Sequence, residues 1–130
     1  MKRIKLTVAY DGTHYSGWQI QPNAPTIEKE LDKAIYALTG EKLHVAVFDT
    51  ESTIPGSRFC YALNRYLPEE ISILESREVK GDFHPRHCNT KKTYEYKILN
   101  TPFPIPQQRN YAWHVPGKLD IVRMREAAAL

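Results

Sequence analysis

Basic and aromatic residues are interleaved in one stretch of this sequence. Tyr94 lies in the segment 91–97, KKTYEYK, and Arg86 precedes that segment. Cations bind phosphate groups and exposed aromatic rings stack on unpaired bases, so this mixture predicts an RNA-binding surface. The alternatives are a solvated strand face and, for Tyr94, an aromatic ring packed in a sheet core. The candidate phosphate-binding residues are Arg86, Lys91, Lys92 and Lys97.

Two further groups of side chains could do chemistry. His84, His87 and Cys88 are of the types that ligate metals, but their spacing fits no standard zinc pattern and no fourth ligand is evident. We therefore predict no metal site. Asp49 offers a carboxylate, and the simplest interpretation of this residue is a solvated position at the end of a strand.

Composition limits the classes of protein to which the chain can belong. Its 130 residues suffice for about one domain with a modest core, and 42% of them are hydrophobic. No apolar run approaches the roughly 20 residues of a membrane helix, and the alternating start resembles a strand rather than a secretory signal. We expect a cytoplasmic protein with two reduced cysteines that serve packing. A net charge of +3 permits a nucleic-acid partner without requiring one.

The elements that must position these side chains alternate between strands and helices. Residues 4–10 predict a strand that ends in the turn Asp11-Gly12. Thr26 can cap a helix that ends at Gly40. The apolar face of this helix consists of Ile27, Leu31, Ala34, Ile35 and Leu38.

The rest of the pattern continues in the same way. Segments 44–48, 71–79 and 93–99 are expected to be strands, and a second helix is expected through Phe59, Leu63, Tyr66 and Leu67, stopped by Pro68. Asp120 is a plausible cap for a last helix that continues to the end of the chain. This order predicts an α+β domain of the ferredoxin-like or RNA-recognition type, with an antiparallel sheet and its helices on one face.

Two long blocks resemble the signatures of the tRNA pseudouridine synthase A (TruA) family. The first is YDGTHYSGWQIQP at 10–22, and the second is DFHPR at 82–86 followed by KKTYEYKI at 91–98. Segments 61–68 and 111–116 also resemble intervening family sequence, so the resemblance covers nearly the whole chain. The first block contains the residues assigned to a structural motif, which are Asp11, Gly12, Gly17 and Trp18.

The resemblance implies a function in tRNA modification. In the family the first tyrosine of the second block, here Tyr94, lies against the target uridine, and the enzyme isomerises uridines of the tRNA anticodon arm without a metal or organic cofactor. Family members usually act as homodimers. The resemblance also implies that residues 1–118 form the N-terminal synthase-like domain and that residues 119–130 begin a helix leading to a C-terminal domain absent from this chain.

One segment of the family is missing from this sequence. Between the first and second helices the family carries Gly-Arg-Thr-Asp-Ala-Gly-Val-His, which contains its catalytic aspartate, and nothing similar occurs here. Asp49 matches an acidic position at a strand exit rather than the catalytic loop. We therefore predict negligible synthase activity. The alternatives are an RNA-binding module without catalysis and an inert or dimerising fragment.

Overall fold

Strand β1 (Lys2–Tyr10) is the central strand of a three-stranded sheet and forms backbone hydrogen bonds with a strand on each side. The computed structural model describes residues 1–42 and 46–130, which divide into two units, Met1–Thr90 and Lys91–Leu130. The remaining elements of the first unit are α1 (Ile27–Thr39), β2 (Val47–Thr50), α2 (Phe59–Leu63) and β3 (Ile71–Val79). Both β2 and β3 are antiparallel to β1, so the prediction of an α+β fold with an antiparallel sheet is confirmed for this unit.

A β-bulge keeps the apolar residues of β3 on the core face. Ser76 is opposite Leu6 and Ile73 is opposite Val8, and the register shifts between these two pairs. Side chains of a strand alternate between the two faces of the sheet. The extra residue, Leu74, shifts this alternation by one position, so that the two isoleucines before it face the core as Ser76 does. Leu74 itself is exposed.

Helix α1 forms where the sequence predicts it. Thr26 caps its first turn by accepting a hydrogen bond from the Lys29 N–H, and Gly40 ends it with a left-handed φ of 75° that glycine adopts without steric cost. The core of the unit lies between both helices and one face of the sheet. It consists of Ile4, Leu6, Ile27, Leu31, Ala34, Ile35, Phe48, Phe59, Cys60, Leu63, Ile71 and Ile73.

Three sequence-based predictions for the first unit need correction. The strand expected at 44–48 is β2 at Val47–Thr50, and residues 43–45 lie outside the described residues. Helix α2 ends at Leu63, after which the Arg65 and Tyr66 N–H groups bond to carbonyls three residues back in a tighter turn. Tyr66, expected within the helix, lies in this turn and is exposed. Cys60 is buried as expected, but Cys88 is exposed, and its thiol donates to the Pro85 carbonyl at 3.3 Å.

The second unit has little regular structure. Its strands β4 (Ile98–Leu99) and β5 (Trp113–His114) pair in parallel, and α3 (Ile121–Ala128) begins at the predicted cap Asp120. The strand expected over 93–99 is therefore wrong except for its last two residues. None of the described residues of 91–130 is buried, so a strand in 93–99 has no core against which its alternating side chains could pack.

We expect the two units to differ in their resistance to hydrogen exchange. The β1 and β3 amides lie in a sheet with a buried core, whereas the amides of 91–130 lie in a segment without buried side chains. Native-state exchange followed by mass spectrometry should show protection at least about 100-fold higher in the first unit. Protection in 98–115 equal to that of β1 would contradict this interpretation.

Candidate nucleic-acid interface

The loop that follows β1 folds back on the start of α1. The carbonyls of Gly17 and Trp18 accept hydrogen bonds from the Ile27 and Glu28 N–H groups at 3.2 and 3.0 Å. These first N–H groups of a helix have no partner within the helix itself, so the loop supplies their acceptors. The φ of 92° at Gly17 favours glycine at this position.

The two ends of this loop are also ordered by side chains. Asp11 accepts hydrogen bonds from the Thr13 N–H, at 3.0 Å, and from the Thr13 hydroxyl, which shapes the turn at Gly12. Trp18 is partly buried against the core, and its ring centroid lies 5.9 Å from that of Tyr10. In this structure the block 10–22 therefore holds β1 and α1 together.

Arg3 and Asp49 form an ion pair between strands β1 and β2. Arg3 Nε and Nη2 each donate to one Asp49 carboxylate oxygen at 2.7 Å, in a bidentate arrangement between neighbouring strands. This hydrogen bonding raises the pKa of Arg3 above its ordinary value, against the opposing effect of burial. Arg3 Nη1 also donates to the Phe83 carbonyl at 3.1 Å. Asp49 is thus held in place rather than solvated at a strand end.

The segment after β3 carries two stacked histidines. The rings of His84 and His87 are 4.4 Å apart at 28°, and the Arg86 N–H donates to His84 Nδ1 at 3.2 Å. Partial burial, followed by the charges of His87, Arg86 and Arg3, lowers the pKa of His84 below its ordinary value of 6.5. The stack is therefore most stable when His84 is neutral.

A surface cavity of about 520 Å³ lies beside these histidines. Lys5 lies 5.3 Å from the centroid of the Phe83 ring, a cation–π contact beside this cavity. Cationic and aromatic side chains in one concave surface can bind a phosphate and a base together. The cavity is lined by Arg77, Glu78, Val79, Lys80, Asp82, Phe83, His84, His87 and Cys88.

The interleaved stretch 91–97 is fully accessible. Tyr94 is 74% exposed and Tyr96 is 88% exposed, so the alternative of a core aromatic at Tyr94 is wrong. Lys91, Lys92 and Lys97 are exposed as well, and Lys97 lies 3.6 Å from Glu95. These lysines and Tyr94 form one continuous stretch in the second unit, which we call the cation-aromatic segment.

Arg86 belongs to the first unit and is also exposed. Its guanidinium makes no hydrogen bond or ion pair with residues 1–42 and 46–90. The pair between Arg3 and Asp49 was missed by sequence analysis, because the two residues are 46 positions apart and no local pattern marks them.

Among the residues that the structure describes, no group of three or more His, Cys, Asp or Glu side chains could hold a metal ion. In the same part of the chain, no helix has the length and apolar character needed to cross a membrane.

Comparison with known proteins identifies relatives that are longer than this chain. The chain is 45% identical to tRNA pseudouridine synthase A of Acetivibrio thermocellus, with 99% of the chain and 59% of the relative aligned. It is 47% identical to tRNA pseudouridine synthase A 2 of Clostridium tetani, over 98% of the chain and 58% of that protein. It is 45% identical to tRNA pseudouridine synthase A 2 of Clostridium perfringens, with 98% of the chain and 59% of that protein aligned. No model of a known protein family matches the chain.

The lengths of these alignments contain further information. The chain has 130 residues, but its match to the A. thermocellus protein extends over 145 positions, so at least 15 positions of that relative face a gap in this chain. The chain spans about three fifths of the length of the relatives that it matches.

We expect Asp49→Asn to lower the free energy of unfolding by about 1 kcal/mol, because it removes the charge from a partly buried bidentate pair. The matched control is Glu51→Gln, which removes an exposed contact with the N-terminus and should cost less than about 0.5 kcal/mol. Urea unfolding of both variants measures the difference. Equal losses would show that the Arg3 pair contributes nothing beyond a surface contact.

Acidification should destabilise the first unit through His84. Because folding lowers the pKa of His84, the unfolded state binds the proton more readily than the folded state. The contribution of neutral His84 to the stability of the folded state is therefore complete above pH 6.5 and is lost as the pH falls below that value. Urea unfolding at pH 7.5 and 5.5 should show this loss in the unaltered chain and a smaller loss in His84→Gln. His14→Gln, at an exposed loop residue, is the control. An unchanged pH dependence in His84→Gln would contradict the assignment.

Proposed function

The chain belongs to the tRNA pseudouridine synthase A family, and on this basis we propose that it binds tRNA without isomerising uridine. The observation that carries this proposal is the absence of at least 15 positions that a relative possesses. The catalytic segment expected for the family, Gly-Arg-Thr-Asp-Ala-Gly-Val-His, is missing from the sequence. We place the gap between α1 and β2, where the family carries that segment.

The topology of the first unit supports this placement. Strands β2 and β3 are parallel to each other, are connected through α2 and enclose β1 between them, as in a split β-α-β unit. The ferredoxin-like order is β-α-β-β-α-β, and this unit has β-α-β-α-β. We infer a ferredoxin-like half-domain that lacks its second strand.

The chemistry of pseudouridine formation explains why this loss removes activity. The reaction breaks the bond between ribose and the base nitrogen, turns the base and joins the ribose to a base carbon. A carboxylate beside the sugar must act as nucleophile or base. Asp49 is a poor substitute because Arg3 binds both of its oxygens, and freeing it would break two charge-assisted hydrogen bonds.

The proposed tRNA contacts are the exposed cations and rings described above. Tyr94 offers a ring face to an unstacked base, and Arg86, Lys91, Lys92 and Lys97 offer charges to phosphates. Neither a metal nor an organic cofactor takes part in the proposed interaction.

Self-association is a second candidate function, favoured by the exposed apolar side chains of the second unit. Family members usually form homodimers, and a dimer of this chain would extend the basic surface available to tRNA. The side chains that favour it include Phe103, Tyr111, Trp113, Ile121 and Val122. Sedimentation velocity at the concentrations used for RNA binding tests this candidate.

Activity and binding are tested together on unmodified tRNA with tritium at C5 of uridine. We expect the chain to release no tritium, because it lacks the catalytic carboxylate, and to bind tRNA with an affinity that falls as salt rises. Two comparison variants carry the segment of the A. thermocellus relative that is missing here. One keeps the aspartate of that segment, and the other has alanine in its place. Release by the unaltered chain that is abolished in Asp49→Asn would overturn the proposal.

The binding measurement has its own controls. Lys91→Ala and Lys92→Ala should each reduce the salt dependence of tRNA binding, whereas Lys118→Ala removes the same single charge from the same unit and should reduce it less. Tyr94→Ala should weaken binding about tenfold, and Tyr94→Phe, which keeps the ring, should not. Binding that is indifferent to all of these changes would exclude the cation-aromatic segment as the interface.

A further inference from the structure

A second concave surface lies on the helical side of the first unit, away from the polar face of the sheet. It has a volume of about 320 Å³ and is bounded by the end of α1, the segment before α2, α2 itself and the turn that follows α2. We call it the Tyr-Arg groove. Its lining consists of Leu38, Ile54, Arg58, Tyr61, Ala62, Arg65 and Tyr66.

The groove is held in shape by β3. Ser76, which is buried, accepts a hydrogen bond from the Cys60 N–H at 2.9 Å and donates to the Gly56 carbonyl at 2.7 Å, at the start of α2. At the other end of the helix, Asn64 bonds to the Ile73 N–H and carbonyl at 2.8 and 2.9 Å. A surface fixed at both ends loses little conformational entropy when it binds a ligand.

Four of the seven side chains that line the groove are cationic or aromatic, and the other three are aliphatic. Arg58 lies 5.6 Å from the centroid of the Tyr61 ring, a cation–π contact, and Arg65 lies on the same lining. Tyr61 is 68% exposed and Tyr66 is 52% exposed. Neither arginine forms an ion pair within the part of the chain that the structure describes, and no lining residue is acidic.

We propose that the Tyr-Arg groove binds a single-stranded segment of RNA. Arg58 and Arg65 bind two phosphates, and the rings of Tyr61 and Tyr66 stack on bases between them, while Leu38 and Ile54 form the apolar floor. The inference rests on the proposed function, because it extends RNA binding from the cation-aromatic segment to a separate surface.

An acidic peptide is the competing occupant, since it would also satisfy the two arginines. It would not account for the two rings, which remain more than half exposed although apolar side chains lie beside them. Unpaired bases present a flat face to every such ring, whatever the sequence. The observations therefore favour RNA.

Fluorescence anisotropy with a labelled ten-nucleotide oligouridylate tests the groove. Tyr61→Ala should weaken binding about tenfold and Tyr61→Phe should leave it unchanged, because stacking needs the ring and not the hydroxyl. Arg58→Ala and Arg65→Ala should each reduce the slope of log affinity against log salt by about 0.7. All of these side chains are exposed, and matching urea unfolding curves establish that the variants fold.

Matched controls use residues on the neighbouring helix. Tyr36 and Lys29 are exposed on α1 and do not line the groove. Tyr36→Ala should therefore lower the affinity less than Tyr61→Ala does, and Lys29→Ala should lower the salt slope less than the arginine variants do. The Tyr94→Ala variant separates the two proposals. Loss of binding in Tyr94→Ala with none in the groove variants overturns the groove alone, and loss in neither overturns both.

Photo-crosslinking locates the contact directly. An oligonucleotide of the same length containing 4-thiouridine should crosslink to the peptide that carries Tyr61, and peptide mapping by mass spectrometry identifies the residue. Crosslinks confined to other regions would overturn the proposal. So would displacement of the RNA by polyglutamate at equal monomer concentration, because that result would indicate a site for acidic peptides.

Discussion

Strand β1 is the element on which the first unit depends, because it alone pairs with both other strands of the sheet. Ile4 and Leu6 place its apolar face under both helices, and Arg3 on the opposite face holds β2 and the segment after β3. A strand beyond β2 could be absent without breaking any of these contacts. This arrangement explains how a chain lacking at least 15 positions of a relative retains one continuous core.

Local signals in the sequence were sufficient to predict three elements. Helix α1 and strand β3 carry strong periodicity together with clear ends, and α3 begins at the predicted Asp120 cap. The end of α2 was predicted too late, because the apolar spacing continues to Leu67 whereas the backbone tightens into a turn after Leu63. Segment 93–99 alternates like a strand, but only its last two residues pair, since alternation stabilises a strand only where one face is buried.

The candidate interface was predicted in part. The exposure of Tyr94 and its neighbouring lysines agrees with the chemistry expected from their spacing, although their role in binding stays a prediction. The contact of Arg3 was not predicted, because the sheet brings Asp49 to it from 46 positions away. Tyr61 and Arg65 were interpreted only as part of a helix and of family sequence, although cations and rings are interleaved over 58–66. The fold adds that these side chains line one groove.

The two edges of the three-stranded sheet disfavour one route of self-association. Strand β2 has only four residues, and β3 presents Glu75, Arg77 and Glu78 among its exposed side chains. Short and charged edge strands are poor templates for the addition of further strands, so stacking of copies through backbone pairing is disfavoured. Any contact between copies is therefore favoured through side-chain surfaces rather than through backbone pairing at these two edges.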